Sequence, residues 1–303
     1  MLTPSMRNWF GRSSQATVSM LMPPDIADPP EPVGEPVPPP EPEIAPLWSP
    51  ERFAVTDALW GEAYQLPGGE VELLRLAKPL GLSSAASLML IGPGSGGAIK
   101  SLVTRLGVWV NGFEANPELC AACEAYLTKS NLGRRARVDD WDPADPAFAK
   151  NYFHHALAIE PLNGHAPEVV LSSFATAIKP GGQLSMIELV AGDPLDPRDP
   201  TVAQWSRIEQ RDTFSLTSEV AISRVLGRLG YDVRIVEDIS PRYSHQAIMG
   251  WRRLVRAMED RKPDRSHARR VVHEAELWLL RLKLIREGHL RVVRWHAING
   301  GGG

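Results

Sequence analysis

Glycines crowd one short stretch of the sequence and could bind a small molecule through the bare backbone. The stretch "LMLIGPGSGGAIKSL", residues 88–102, contains four glycines in six positions, directly after an apolar run. Glycine is favoured where a chain turns tightly and a ligand lies close to the backbone. Gly92, Gly94 and Gly97 also match the G-x-G-x-x-G pattern of dinucleotide-binding folds. The pattern predicts a nucleotide-like ligand beside this loop.

One carboxylate follows the loop at a spacing suited to a ribose. Glu114 ends the next apolar run, about twenty residues after the glycines. Both hydroxyls of a ribose can donate hydrogen bonds to a single carboxylate. The loop and the acid together indicate an adenosine-type ligand, but they do not decide between NAD and S-adenosylmethionine.

The elements that position these residues alternate between strands and helices. Apolar runs predict strands over 87–91, 108–113, 135–138, 156–159 and 183–190, and helices over 98–106, 117–130 and 168–178. A helix over 218–229 then leads to the strand "DVRIVEDI", two helical stretches and a last strand, "LRVVRWHAI". Alternating units imply a parallel sheet that helices cover on both faces. We therefore expect a Rossmann-like three-layer α/β sandwich with a seven-stranded, mostly parallel sheet, in which "LRVVRWHAI" is one antiparallel strand beside "DVRIVEDI".

The first part of the chain differs in composition from the rest. Residues 23–46 are rich in proline and carry six acidic residues without one basic residue. Such a segment buries too little apolar surface to offset its ordering entropy. The sequence thus predicts a disordered, Pro-rich N-terminal arm over 1–48 and a folded domain over 49–303. Within the arm, "PVPPPEP" is either a plain linker or a segment that binds the aromatic groove of a protein partner.

The overall composition limits the kinds of partner and site. A net charge of −3 gives no general argument for nucleic-acid binding. No run approaches eighteen apolar residues, so we expect no integral membrane segment, and the N-terminus lacks the apolar region of a secretory signal. A cytoplasmic location is expected. Cys120 and Cys123 have no second pair to complete a zinc site, so we interpret them as buried thiols and predict no metal.

Three stretches resemble motifs of the class I S-adenosylmethionine-dependent methyltransferases. "LMLIGPGSGG" is similar to their motif I, "GFEANPEL" to their second-strand motif, and "AIKPGGQLSMIEL" to their turn into the fifth strand. "LWGEAYQLPGGEVELLRL" and "RYSHQAIMGWRRLVRAM" also resemble the methyltransferases of phosphoethanolamine and related amines. The resemblance spans roughly residues 50–300. It implies S-adenosylmethionine as the cofactor and a small molecule as the methyl acceptor.

The resemblance also implies roles for individual residues. The implied cofactor-binding residues are Gly92, Gly94, Ser95 and Gly96 at the methionine part, Glu114 and Ala115 at the ribose, and Asp140 and Trp141 at the adenine. The acceptor-binding candidates are Tyr64, Gly68, Gly69 and Trp205, the last in a stretch over 192–217 that is either a lid or a packing insertion. The candidates for a catalytic base are Glu160, His155, His165 and Tyr243. The histidines and the acids also have purely structural interpretations.

One position departs from the family pattern. The family usually has an acid two positions before the first motif glycine, where it supports the ammonium group of the cofactor, but this chain has Leu90 there. Loss of a charged hydrogen-bond partner weakens binding by roughly 1.5–3 kcal/mol. The leading expectation is a small-molecule methyltransferase that modifies nitrogen or oxygen by in-line methyl transfer. A non-catalytic binding or scaffold protein and an NAD(P)-dependent oxidoreductase are the alternatives.

Overall fold

The computed structural model describes residues 46–260 and 263–301. The helices are α1 (Pro50–Trp60), α2 (Gly69–Ala77), α3 (Gly97–Leu106), α4 (Pro117–Ser130), α5 (Pro167–Ala177), α6 (Pro200–Glu209), α7 (Glu219–Arg228), α8 (Ser240–Asp260) and α9 (Arg265–Arg286). The strands are β1 (Ser87–Ile91), β2 (Trp109–Glu114), β3 (Ala136–Asp140), β4 (Phe153–Ile159), β5 (Ile178–Ala191), β6 (Tyr231–Asp238) and β7 (Leu290–Asn299). Across these ranges, no helix combines the length and apolarity needed to cross a membrane. The expected disorder and partner-binding segment of residues 1–45 lie outside the described residues.

Side-chain caps explain where several helices begin. The Ser49 hydroxyl accepts a hydrogen bond from the backbone N–H of Arg52 (3.3 Å), with Pro50 as the first residue of α1. In the same way, Asn116 caps α4 and Asp264 caps α9. Each cap satisfies a backbone N–H that has no partner within the first turn. The helix starts therefore follow from local sequence chemistry.

The sheet has the predicted number of strands and the predicted antiparallel member. Its order is β3-β2-β1-β4-β5-β7-β6. β1 pairs in parallel with β2 and β4, and β7 runs antiparallel to both β5 and β6. Because β1, β2, β3, β4 and β5 are parallel, the loops at their carboxyl ends meet along one edge. The glycine-rich loop and Glu114 both lie at this edge.

Two apolar clusters, one on each face of the sheet, form the core. Along β1 the side chains alternate, so that Leu88 and Leu90 enter one cluster while Met89 and Ile91 enter the other. A strand that is apolar on both faces is typical of a parallel sheet between two helical layers. The structure thus has the expected three-layer α/β architecture.

Candidate active site

The glycine-rich loop connects β1 to α3 in a conformation that requires glycine at two positions. Gly92 and Gly94 have φ angles of +67° and +63°. A Cβ at residue 92 would lie 2.4 Å from the carbonyl oxygen of Ile159, and one at residue 94 would lie 1.9 Å from Oε1 of Gln65. The positive φ therefore favours glycine at both positions, and at residue 92 the fixed Ile159 carbonyl also excludes a side chain.

Glu114 lies against this loop at the end of β2. One carboxylate oxygen accepts a hydrogen bond from the Gly94 N–H (3.0 Å) and the other accepts one from the Asn116 N–H (3.1 Å). The residue is only 6% exposed. Burial raises the pKa of Glu114 to about 7, although these backbone bonds lower it. A carboxylate has about four acceptor positions, so these backbone bonds leave acceptor capacity for a ligand on the cavity wall.

Trp141 and Ala115 form the side of the cavity beyond Glu114. Both line it, and the Trp141 ring lies 5.6 Å from the ring of Phe148, centroid to centroid. Asp140 is paired with Glu114 in the β2–β3 register, but its side chain is exposed and does not line the cavity. This side can thus enclose a flat apolar ring.

A cavity of ≈ 730 Å³ extends from the glycine loop between the sheet edge and the helices α1, α8 and α9. We call its far end the distal chamber. The chamber is lined by Trp48, Arg52, Trp60, Glu160, Glu209, Arg211, Tyr243, Glu274, Trp278 and Arg281. Its walls therefore combine aromatic rings with charged groups of both signs.

The charged groups of the distal chamber form a network of ion pairs. Arg281 donates to Glu160 (Nη1 to Oε1, 3.2 Å) and to Glu209 (Nε to Oε1, 2.8 Å). Arg211 donates from Nη2 to the other oxygen of Glu160 (2.7 Å). The Tyr243 hydroxyl accepts a further hydrogen bond from Arg281. Two turns before Arg281 on α9, Glu274 pairs with Arg52 of α1 (2.8 Å).

Burial and ion pairing shift the pKa values in this network in opposite directions. Burial by itself raises the pKa of Glu160, but the charges and hydrogen bonds of Arg281 and Arg211 outweigh it and lower the pKa to about 2. Burial raises the pKa of Glu188 to about 7, because Arg211 is more distant from it (3.8 Å) and Glu160 adds like charge. Burial also raises the pKa of the Tyr243 phenol well above its usual value. At neutral pH, Glu160 is ionised and Tyr243 is protonated.

Comparison with solved structures identifies the architecture. No family model matches the chain, and a search of curated proteins found no match. Phosphoethanolamine N-methyltransferase 2 of Haemonchus contortus, solved with S-adenosylmethionine, is similar with a TM-score of 0.71 and 18% identity. The chain has the class I methyltransferase fold. The match covers 81% of this chain, which spans only 56% of the length of the nematode protein.

Other solved structures with the class I methyltransferase fold differ in chemistry. Geranyl diphosphate C-methyltransferase from Streptomyces coelicolor A3(2) has a TM-score of 0.58 and 15% identity, with 76% of this chain and 80% of that chain covered. The cyclase SpnF has a TM-score of 0.59 and 18% identity, with 77% and 82% covered. Since one fold carries a methyltransferase and a cyclase, the reaction has to be argued from the site.

The class I fold brings most of the expected cofactor residues together. Gly92, Gly94, Glu114, Ala115 and Trp141 all line the cavity. Three others lie beside it without lining it. Ser95 is buried in the loop, Gly96 packs on Cys123, and Asp140 faces outward. Cys123 is buried and Cys120 is half-buried, and both are free thiols.

The expected acceptor and base residues divide into two groups. Tyr64, Glu160 and Tyr243 line the cavity, whereas Gly68, Gly69, Trp205, His155 and His165 do not. A side chain at residue 69 would clash with the Trp60 carbonyl, so Gly69 allows α2 to begin close to α1. Gly68 precedes α2 with a φ of +88°, which favours glycine.

Trp205 and the two histidines have structural surroundings. Trp205 is fully buried in α6, which packs against α9, so this half of the 192–217 stretch is a packing insertion. The second half, from Glu209 to Ser215, contributes to the cavity wall. His155 accepts a hydrogen bond from the Gln183 N–H within the sheet (3.3 Å), and the His165 N–H donates to the Leu162 carbonyl (2.7 Å). The structure therefore does not bring these three residues to the site.

Several lining residues escaped the sequence reasoning. They are Gln65, Trp60, Glu209, Arg211, Trp278 and Arg281. The apolar spacing of α9 around Trp278 predicts a face that packs in the core, yet Arg281 follows at i+3 on the same side of the helix. A charged residue within an apolar helical face was the available signal.

Proposed function

We propose that this chain binds S-adenosylmethionine and transfers its methyl group to a small molecule held in the distal chamber. The observation that carries the proposal is the continuity of one cavity. It joins the glycine loop and Glu114 to a chamber walled by aromatic and charged side chains. A methyl donor at the loop and an acceptor in the chamber would then meet without crossing bulk water. Alignment and exclusion of water are the main needs of such a transfer.

The residues that line the glycine-loop end of the cavity fit this cofactor. Gly92 and Gly94 leave the backbone bare where the methionine part with its sulfonium would lie, and Glu114 has acceptor capacity left for the ribose hydroxyls. Trp141 offers an apolar surface to the adenine. The bound cofactor supplies an activated methyl group on sulfur. Leu90 is the one misfit, because it is fully buried in the core where an acid would bind the ammonium group.

Glu160 and Tyr243 position the acceptor rather than deprotonate it. Glu160 is held by two arginines and has a pKa lowered to about 2, so it is a weak base. The Tyr243 phenol has a raised pKa and accepts a hydrogen bond from Arg281. We therefore infer that the nucleophile, a nitrogen or an oxygen atom, enters in a reactive protonation state. Base catalysis is needed only where the acceptor arrives protonated.

The charges of the chamber favour an acceptor without a phosphate group. Among the cavity-lining residues that the structure describes, the basic ones are Arg52, Arg211 and Arg281. Each is paired with a carboxylate, so a phosphate would have to displace a buried glutamate. Breaking a buried pair is costly. The rings of Trp60 and Trp278 line the cavity and offer apolar contact to an acceptor instead.

Calorimetric titration of the full chain with S-adenosylmethionine tests the proposal, with NADH as the competing ligand. We expect micromolar binding of S-adenosylmethionine alone, and at least tenfold weaker binding by the Glu114→Gln variant. Methyl transfer is then measured on matched acceptors with and without a phosphate group, and the unphosphorylated member of each pair should react faster. Preferential binding of NADH would instead support an oxidoreductase and refute the proposal.

A non-catalytic binding protein is the second candidate, and Leu90 favours it. In that case S-adenosylmethionine or S-adenosylhomocysteine would bind, but no acceptor in a broad panel of amines and hydroxyl compounds would be methylated. Binding together with turnover excludes this candidate.

A further inference from the structure

Gln65 packs directly against the glycine loop at the wall of the cavity. It lies in the segment between α1 and α2, and its side chain lines the cavity beside Gly94. Its Oε1 accepts a hydrogen bond from the Ser95 N–H (2.8 Å), and its Nε2 donates to the Ser95 hydroxyl (2.7 Å). The amide is therefore held in one orientation against the loop by two bonds to a single residue.

This amide keeps unused capacity for a ligand. A glutamine side chain has two donor hydrogens on nitrogen and two lone pairs on oxygen. Ser95 uses one of each, so one N–H and one lone pair are left at the cavity wall. An amide with one free donor and one free acceptor is complementary to the carboxylate and ammonium of an α-amino acid.

The neighbouring polar groups on this wall are already engaged. Thr56 donates to backbone carbonyls within its own helix (3.1 and 3.2 Å), and the Tyr64 hydroxyl donates to Ser101 (2.6 Å). Leu90 offers no polar atom, and its side chain points into the core. Compared with these neighbours, Gln65 keeps half of its hydrogen-bonding capacity free.

We propose that Gln65 binds the amino-acid end of S-adenosylmethionine and compensates for the acid that Leu90 replaces. Its Oε1 accepts a hydrogen bond from the cofactor ammonium, and its Nε2 donates to the cofactor carboxylate. Gly94 makes this placement of the Gln65 amide possible, because a Cβ at residue 94 would lie 1.9 Å from Oε1 of Gln65. The inference rests on the proposed function, since it concerns the same cofactor site.

Two ligands that differ only at the amino-acid end provide the test. S-adenosylhomocysteine carries the amino-acid group, and 5′-methylthioadenosine has the same nucleoside and thioether without it. Dissociation constants of both are measured by calorimetry for the full-length protein and for Gln65→Ala. Loss of hydrogen bonds to charged groups should weaken S-adenosylhomocysteine binding about 10- to 100-fold. Binding of 5′-methylthioadenosine should change less than about threefold, because the ligand lacks the groups that Gln65 contacts.

Control variants separate ligand contact from loop structure. Glu114→Gln should weaken both ligands, because it acts at the ribose that they share. Gln246→Ala removes a glutamine that contacts Gly68 outside the cavity and should weaken neither. If Gln65→Ala lowers the melting temperature strongly, Gln65→Met, which is similar in length and lacks the amide, is measured in its place.

The outcomes distinguish this inference from the proposed function. Equal weakening of both ligands by the Gln65 variants would mean that the residue only shapes the loop, and an unchanged affinity for S-adenosylhomocysteine would mean that it makes no contact. Either result overturns the inference and leaves the proposed function intact. If the unaltered protein binds neither ligand, both proposals fail together.

Discussion

Replacing Glu160 by glutamine should destabilise the protein by about 3 kcal/mol near pH 6. The substitution keeps the size of the side chain but removes one negative charge from between Arg211 and Arg281. Removing one partner of a buried ion pair costs about 3–5 kcal/mol. The lower end applies here, because the Glu160 side chain is 21% exposed and Glu209 stays in contact with Arg281. The pKa leads to a similar value. A fall from 4.5 to about 2 corresponds to about 3 kcal/mol at 1.36 kcal/mol per unit.

The pH dependence of this loss gives the sharper test. The lowered pKa of Glu160 means that its stabilisation is complete above about pH 4.5 and disappears as the pH falls towards 2. Glu188 acts in the opposite sense. Its raised pKa of about 7 makes the unaltered protein lose stability as the pH rises from 4.5 to 7. Without the charge of residue 160, the pKa of Glu188 is raised less, so the stability gap between the two proteins should narrow from pH 5 to pH 8.

Urea unfolding followed by tryptophan fluorescence at pH 5, 6 and 8 measures both effects. The chain contains nine tryptophans, and Trp278 lies beside Arg281. Glu168→Gln is the matched control, since it removes the same charge from an exposed pair with Arg228 (2.6 Å) and should change stability by less than about 0.5 kcal/mol. A loss below 1 kcal/mol for Glu160→Gln at about pH 6, or a gap that widens with pH, would refute the reasoning.

Three further expectations follow from the same contacts. Affinity for 5′-methylthioadenosine, measured by calorimetry, should rise about tenfold from pH 6 to pH 8. The reason is that the pKa of Glu114 is raised to about 7 and the ionised carboxylate is the better hydrogen-bond acceptor. Glu114→Gln should abolish this dependence on pH. Gly181→Ala should lower the free energy of unfolding in urea by about 1–2 kcal/mol, because residue 181 has a positive φ and open space around it. Gly92→Ala should lower it further and abolish cofactor binding, because the new Cβ would meet the Ile159 carbonyl. Trp205→Ala should lower stability by about 3–5 kcal/mol in the same assay without a change in cofactor affinity, since Trp205 is fully buried and outside the cavity. A selective loss of ligand binding would contradict this structural role for Trp205.

Sequence reasoning reached the cofactor side of the site more completely than the acceptor side. The glycine loop follows one strand and Glu114 ends the next, so their proximity follows from the alternation of strands and helices. The acceptor side depends on α9 and on the segment after α6. Both lie close to the end of β4 in the fold, and no local sequence pattern predicts that proximity. Glu160 meets Arg211 and Arg281 across 51 and 121 residues of chain.

The sequence by itself determined most of the helices and strands of the α/β domain, the seven strands with one antiparallel member, and the loop suited to an adenosine ligand, but it did not predict α6. These features depend on interactions between residues close together in the chain, such as helix caps, the alternation of apolar side chains and the need for glycine at positive φ. Only the tertiary structure decided the protonation states of Glu160, Glu188 and Tyr243, and the position of Gln65 on the glycine loop. Burial and long-range pairing control those properties, and both arise only when distant segments pack together.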